Sequence, residues 1–332
     1  MTAAWMPGRA PKGAARLVVD REPDLARFRD DVWAGLALPR KSLPCKYFYD
    51  ARGSALFEAI CELPEYYPTR TELAIMEEHA DAMSERLGAR CLLVEYGSGS
   101  SRKTRLLLDR LRDPAGYVPI DISRAALAES AHALSAAYPG LEVLPVCADY
   151  TADLELPRPR KSVARRGVYF PGSTIGNFTP PQAQRFLAHM ARVADAGGAL
   201  LVGVDLRKDR ATLERAYDDA AGVTAAFNRN LLARINREIG GTFALERFEH
   251  RALWDEHAGR IEMHLVSTHA QTALVAGRAF HFARGETIHT ENSYKYDLAF
   301  FAALAAGAGL AVRQVWTDAA GLFSVQYLTR LA

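Results

Sequence analysis

With 332 residues, 49% of them hydrophobic, the chain can bury one large domain or a core plus a second lobe, and it should be globular. Its 41 basic and 39 acidic residues leave a formal net charge of +2 at pH 7, so no global field draws it to nucleic acid or to an anionic membrane. The four cysteines, Cys45, Cys61, Cys91 and Cys147, lie far apart with no Cys-x-x-Cys pair and no histidine at metal-ligand spacing. They suggest neither a disulfide scaffold nor a metal site, and a reducing cytoplasm fits best.

Residues 1–16 scatter Arg, Lys, Pro and Gly without the unbroken apolar segment of a secretory signal, and no later run reaches the length that spans a bilayer. Residues 20–71 are turn-rich and aromatic, with Lys46-Tyr47-Phe48-Tyr49-Asp50 and Leu63-Pro64-Glu65-Tyr66-Tyr67-Pro68-Thr69-Arg70, neither of which resembles a sheet strand. From 91 to 206, apolar runs at 91–95, 117–120, 141–147, 167–170 and 199–205 alternate with helical stretches such as 104–111, 124–137 and 180–194. That rhythm predicts a parallel α/β sheet with crossover helices, two of them preceded by the capping residues Ser123 and Thr179.

The first strand of that sheet runs into Glu95-Tyr96-Gly97-Ser98-Gly99, and the next ends in Asp121, about 20 to 25 residues on, where doubly wound folds place the carboxylate that holds ribose hydroxyls. Glycines there relieve the collision or the forbidden dihedrals that a Cβ would bring. A Gly-rich turn of a ligand-free α/β protein is the plain alternative. The third strand ends at Asp149-Tyr150, an acceptor for an adenine amino group beside a ring. The third glycine of a dinucleotide fingerprint is missing, since Ser100, Ser101 and Arg102 follow Gly99, which ranks a nicotinamide dehydrogenase second. Lys103 is either an ordinary first-turn residue or faces the ligand. Asn177, in Ser173-Thr174-Ile175-Gly176-Asn177 after the fourth strand, either binds a carboxylate or amine or closes a turn before Pro180.

After Asp205 the pattern changes to a long helical stretch, 209–239, and then to alternating, antiparallel strand patterns over 243–290. Residues 294–306 read as helix, and strand-like ends at 310–318 and 322–330 are joined by Ala319-Ala320-Gly321. A parallel sheet closed by a C-terminal hairpin, with Glu-x-Gly-x-Gly on its first strand, is the plan of a class I (Rossmann-like) methyltransferase. The expected fold is therefore α/β, with a core of residues 73–207 and 294–332 and an α+β substrate-binding lobe of residues 20–72 and 208–293.

On the motifs at 46–50, 63–70, 95–99 and 173–177, together with Ala216-Tyr217-Asp218-Asp219-Ala220-Ala221-Gly222-Val223-Thr224-Ala225, the chain resembles the bacterial histidine-specific Nα-methyltransferases of ergothioneine biosynthesis. These form the trimethylated betaine hercynine. The resemblance spans nearly the whole chain. It implies S-adenosyl-L-methionine as cofactor, contacted by Gly97, Lys103, Asp121, Asp149 and Tyr150. It also implies that Tyr66, Asn177 and Tyr217 hold the amino and carboxylate ends of the substrate, with Tyr49 beside the reacting nitrogen. Met263, Glu291 and Ser293 would form the imidazole pocket, while Asn292 and Tyr294 beside it depart from the family motif.

Taken without the resemblance, Glu291 could cap a helix-entry loop, and Tyr217 and Met263 could be core. Tyr49, Tyr217 or a water chain would take up the proton that each methylation releases, and no metal is required. Methylation of another amino acid such as tryptophan or a histidine derivative, and a noncatalytic adenosyl-binding module, are the competing functions. The expected partner is a small-molecule amino acid, with no nucleic acid, membrane or obligate protein partner.

Overall fold

The computed structural model describes residues 17–20, 24–99, 101–151 and 154–331, so segment 1–16, where no secretory signal is expected, lies outside the described residues. In chain order the N-terminal part forms β1 (Val19–Asp20), α1 (Leu25–Leu36), α2 (Ala51–Cys61) and α3 (Tyr67–Leu87). The alternating region gives β2 (Cys91–Tyr96), α4 (Arg102–Leu108), β3 (Gly116–Asp121), α5 (Arg124–Ala137), β4 (Val146–Cys147), β5 (Arg165–Phe170), α6 (Pro180–Ala194) and β6 (Ala199–Asp205). Beyond it lie α7 (Arg210–Tyr217), α8 (Val223–Ile239), β7 (Phe248–Asp255), β8 (Arg260–Ser267), β9 (Gln271–Val275), β10 (Arg278–Phe282) and β11 (Thr287–Tyr294). The chain closes with α9 (Leu298–Gly307), β12 (Leu310–Thr317) and β13 (Phe323–Arg330).

An eight-stranded sheet, ordered β1-β4-β3-β2-β5-β6-β13-β12, is parallel from β1 to β6 and antiparallel where β13 joins β6 and β12. The strand order reverses beside β2, so the carboxyl ends of β2, β3 and β5 open a crevice at the switch point. β2 is buried along its whole length, as a parallel strand covered on both faces must be. The sheet with its terminal hairpin is the class I methyltransferase plan.

A third apolar cluster stands apart from the two that pack against this sheet. It joins Phe28, Tyr47 and Phe48 to Leu231 and Ile235 of α8 and to Ile261 and Leu265 of β8. In this part β11, β8 and β7 form an antiparallel sheet and β9 pairs with β10. Val19–Asp20 adds to the edge of the large sheet beside β4, and α3 runs unbroken across position 72.

Several elements differ from the sequence reading. The helix expected over 209–239 is two, because Asp219 accepts from the backbone N–H of Val223 (3.0 Å) and Thr224 (2.7 Å), and Gly222 enters the left-handed region, so α8 starts afresh. The strand expected over 141–147 shrinks to Val146–Cys147 plus one bridge at Val143. Residue 294 ends a strand instead of starting a helix: β11 carries the chain to Tyr294, and Asp297 caps α9 through the Phe300 N–H (2.7 Å).

Candidate active site

A cavity of about 740 Å³ lies at the carboxyl ends of β2 and β3 and is roofed by the 44–62 segment. Gly97, Lys103, Asp121, Asp149 and Tyr150 all line it, as do Tyr49, Tyr66 and Asn177. At the end of β2 the chain turns through Gly97 (φ +73°) and Gly99 (φ +46°). No protein atom lies within 4 Å of a Cβ built at either, so it is the backbone dihedral, rather than protein crowding, that calls for glycine. The Gly99 N–H donates to Asp121 (3.2 Å), whose other oxygen accepts from Ser123 N–H (2.8 Å). Burial raises the Asp121 carboxyl above its ordinary value, opposed by those N–H donors. Asp149 is treated differently: burial disfavours its ionisation, but hydrogen bonds from Thr151 and the Lys46 ammonium (3.2 Å) hold it below the usual carboxylate range.

A smaller annex, about 50 Å³, continues from this cavity and shares Tyr49, Phe57, Tyr66, Gly172, Thr174 and Asn177 with it. Tyr217, Met263, Glu291 and Ser293 complete its lining. Thus every residue expected at the site lines one of two adjoining spaces.

Local sequence explains the placement. Tyr66 stands at the N-terminus of α3, in a turn that the Arg70 guanidinium braces on the carbonyls of Leu63 (3.1 Å) and Pro64 (2.6 Å). Tyr217 ends α7, and its carbonyl hydrogen-bonds with the buried His250 ring (2.8 Å). Asn177 ends a one-turn helix, Thr174–Asn177, whose preceding Ser173 takes φ +56° and accepts the Asp205 N–H (2.9 Å). Gly176 allows that turn to press on β11, since a Cβ there would meet the Tyr294 carbonyl at 2.7 Å.

Glu291 does not cap a helix. It sits in β11 opposite Met263 of β8, just past a register shift, with Ser293 two residues on and so on the same face. Asn292 and Tyr294 alternate to the other face, where Asn292 hydrogen-bonds with His289 (3.0 Å) and Tyr294 packs in the large-sheet core and takes the Arg260 guanidinium. Neither lines the annex.

A family profile described as "Histidine-specific methyltransferase, SAM-dependent" matches residues 28–330. The chain belongs to that family. Histidine N-alpha-methyltransferase of Mycolicibacterium smegmatis is 47% identical over 309 residues, covering 91% of this chain and 95% of that protein. The Mycobacterium tuberculosis protein of the same name is 44% identical, covering 90% and 93%. Ergothioneine biosynthesis protein 1 of Neurospora crassa is 32% identical over 83% of this chain but only 32% of its own length. The cofactor of the family is S-adenosylmethionine. The large cavity suits it, with a left-handed glycine turn at one strand end, where no Cβ intrudes, and carboxylates at the next two.

Around the annex stand rings that the sequence reading did not single out. Phe57 lies 5.8 Å from the Tyr49 ring and 6.3 Å from that of Tyr66, and Phe227 lies 5.9 Å from Tyr49. The Tyr66 and Tyr217 rings are 6.0 Å apart. Burial drives the phenols of Tyr49 and Tyr66 well above their ordinary value, with nearby acidic groups adding to it. Both therefore stay protonated at neutral pH and act as hydrogen-bonding groups. Glu291 is the exception among the annex residues: burial pushes its carboxyl up to about 7, against the pull of Lys295.

Two buried ion pairs underlie the site. Glu72 of α3, with no exposed surface, holds the Lys103 ammonium and accepts the Gly172 N–H (2.9 Å). Lys295 pairs with Asp205 (2.7 Å), both side chains being fully buried, and Asp205 also takes Lys208 (2.6 Å) and the Tyr67 hydroxyl (2.8 Å). The alternation 291, 293, 295, along β11 and one residue past its end, is the signal that would have drawn attention to Lys295. Nothing in the order of residues around Glu72 marks it, since its partners are 31 and 100 positions away. Among the described residues no group of three or more His, Cys, Asp or Glu is arranged to hold a metal ion, and no helix is long and apolar enough to cross a membrane.

Proposed function

We propose that this protein transfers methyl groups from S-adenosylmethionine to the α-amino nitrogen of L-histidine, giving hercynine for ergothioneine biosynthesis. One observation carries the reading beyond family membership: a carboxylate, a hydroxyl and a methionine, Glu291, Ser293 and Met263, line an annex that opens through Tyr49, Tyr66 and Asn177 onto the cofactor-sized cavity. A ring with two nitrogens needs such an acceptor and hydroxyl, and its carbon edge an apolar neighbour.

In this reading Gly97 and Lys103 cradle the amino-acid end of the cofactor, Asp121 holds its ribose, and Asp149 and Tyr150 hold its base. Bound there, S-adenosylmethionine supplies an already activated methyl carbon. The protein's task is alignment and exclusion of water, which supplies several kcal/mol. Tyr66, Asn177 and Tyr217 hold the α-amino and α-carboxylate groups, and Tyr49 stands beside the nitrogen. The nitrogen must be unprotonated at each attack. Tyr49 and Tyr217, kept as neutral phenols, hand its protons on through hydrogen bonds rather than storing them. The ring faces of Tyr49, Phe57 and Tyr66 favour the growing cationic charge by roughly 0.5–2 kcal/mol each, which suits repeated methylation.

The cofactor core is taken as residues 73–207 and 294–332 and the substrate lobe as residues 20–72 and 208–293, with α3 common to both. A cytoplasmic setting and a small-molecule substrate without an obligate protein or nucleic-acid partner complete the reading. The test is mass spectrometry of the protein incubated with S-adenosylmethionine and all twenty amino acids. Histidine alone should gain three methyl groups; selective methylation of another amino acid would overturn the annex assignment.

A further inference from the structure

Lys295 is the buried charge that the reaction as described leaves without a task. Its ammonium has three N–H donors, and all three are committed: to Asp205 Oδ2, to Tyr217 Oη and to Ser293 Oγ, each at 2.7 Å. The two hydroxyls also hydrogen-bond to each other at 2.7 Å. Each of the two oxygens therefore accepts from Lys295, and one hydroxyl hydrogen lies between them. Whichever way that bond runs, a single hydroxyl hydrogen remains, and both hydroxyls line the annex. The lysine thus removes two of the three acceptor sites that the pair would otherwise offer, leaving one hydrogen and one lone pair toward the annex, on the strand face that also carries Glu291.

We propose that Lys295 is a positioning residue that, anchored on Asp205, biases Tyr217 and Ser293 toward donating one hydroxyl hydrogen into the annex, which favours a ring with one N–H and one bare nitrogen, the neutral imidazole, over the imidazolium. The inference rests on the annex being the site of the histidine ring. An imidazolium brings two N–H donors and no bare nitrogen; one N–H would meet Glu291, and the other would face the hydroxyl hydrogen while Lys295 takes one lone pair of each oxygen. Charge works in the same sense, because the ammonium stands one hydrogen bond behind Ser293. The titratable and charged groups facing Lys295 are Asp205 from β6, Lys208 just after it, Tyr217 from α7 and Glu291 from β11, with Tyr67 of α3 behind Asp205.

The test is nitrogen NMR of ring-¹⁵N L-histidine bound to the wild-type protein with S-adenosylhomocysteine at pH 8, where Glu291 is ionised and the free ring averages its two neutral tautomers. One pyrrole-like and one pyridine-like nitrogen in the bound ring is the expected result. Two pyrrole-like nitrogens, the imidazolium pattern, would overturn the proposal, whereas absence of any bound histidine would overturn the histidine reading itself. Calorimetry then separates Lys295 from a merely structural ion pair. Lys295→Met should weaken histidine about tenfold or more, with S-adenosylhomocysteine within about twofold, on the scale of a lost hydrogen bond to a charged group. The double change Asp205→Asn with Lys295→Gln, which keeps two amide donors for the hydroxyls, should restore histidine affinity to within about fivefold of wild type. Unchanged histidine affinity in Lys295→Met, or no recovery in the amide pair with cofactor binding intact, would refute the role of the lysine.

Discussion

Met263 and Glu291 face each other across β8 and β11, so one cross-strand pair sets an apolar surface and a carboxylate side by side in the annex. Replacing Glu291 with Ala removes the acceptor without touching the large cavity. Histidine should bind about 10- to 100-fold more weakly while cofactor affinity stays within about twofold, as expected for a lost charge-assisted hydrogen bond. Titration calorimetry with each ligand reads both; equal histidine affinity would remove Glu291 from the pocket.

The same carboxyl sets a pH dependence. Burial raises it to about 7, so it is protonated on the acid side and loses its acceptor character there. The kcat/KM for histidine should fall as pH drops through about 7, beyond what deprotonation of the substrate amine imposes. In Glu291→Gln that extra limb should vanish. A profile of the same shape for both proteins would disconnect Glu291 from substrate binding.

Glu95 gives a stability test at the cofactor end. It is fully buried, accepts from the Thr104 hydroxyl (2.6 Å) and the Tyr117 hydroxyl, and burial raises it from 4.5 to about 8. Between those values the folded protein holds a proton that the unfolded chain has lost, so this group makes stability fall as pH rises. Glu95→Gln does not titrate. Its melting temperature relative to wild type should therefore rise from pH 5 to pH 8, by an effect on the order of a few kcal/mol. A difference independent of pH would mean that Glu95 ionises normally.

Gly176 tests the contact that seats Asn177. An alanine Cβ would stand 2.7 Å from the Tyr294 carbonyl oxygen and 3.1 Å from its nitrogen, both backbone atoms that cannot swing aside. The one-turn helix must then lift from β11. Gly176→Ala should lower kcat/KM by about tenfold or more, as about 1 Å of misplacement can, and S-adenosylhomocysteine should still bind. Full activity would show that Asn177 needs no such seat.

Much of this was legible in the sequence because it is local or periodic. β2 into Gly97 and Gly99, then β3 into Asp121, follow from an apolar run and a turn that needs positive φ. Long-range pairings were not. That Asn292 and Tyr294 face away from the annex follows from the strand character of β11, which the polar run Thr290-Glu291-Asn292-Ser293 disguises as a loop. The break between α7 and α8 was missed because apolar spacing continues across it, while the Asp219 cap acts through hydrogen bonds. Lys295, Asp205 and Glu72 look like ordinary charges until the fold buries them against one another.

The helix α3 works as a ruler with two graduations. Tyr67, at its start, touches the Asp205 carboxylate that anchors Lys295 behind the annex, and Glu72 grips Lys103 beneath the large cavity. At 1.5 Å and about 100° per residue, those two marks are separated by roughly 7.5 Å and a fixed angle. One extra residue between them would leave either the Tyr67 hydrogen bond or the Glu72 ion pair able to form but not both in register, so the spacing between Tyr67 and Glu72 ties the two cavities together although it contains no reacting group.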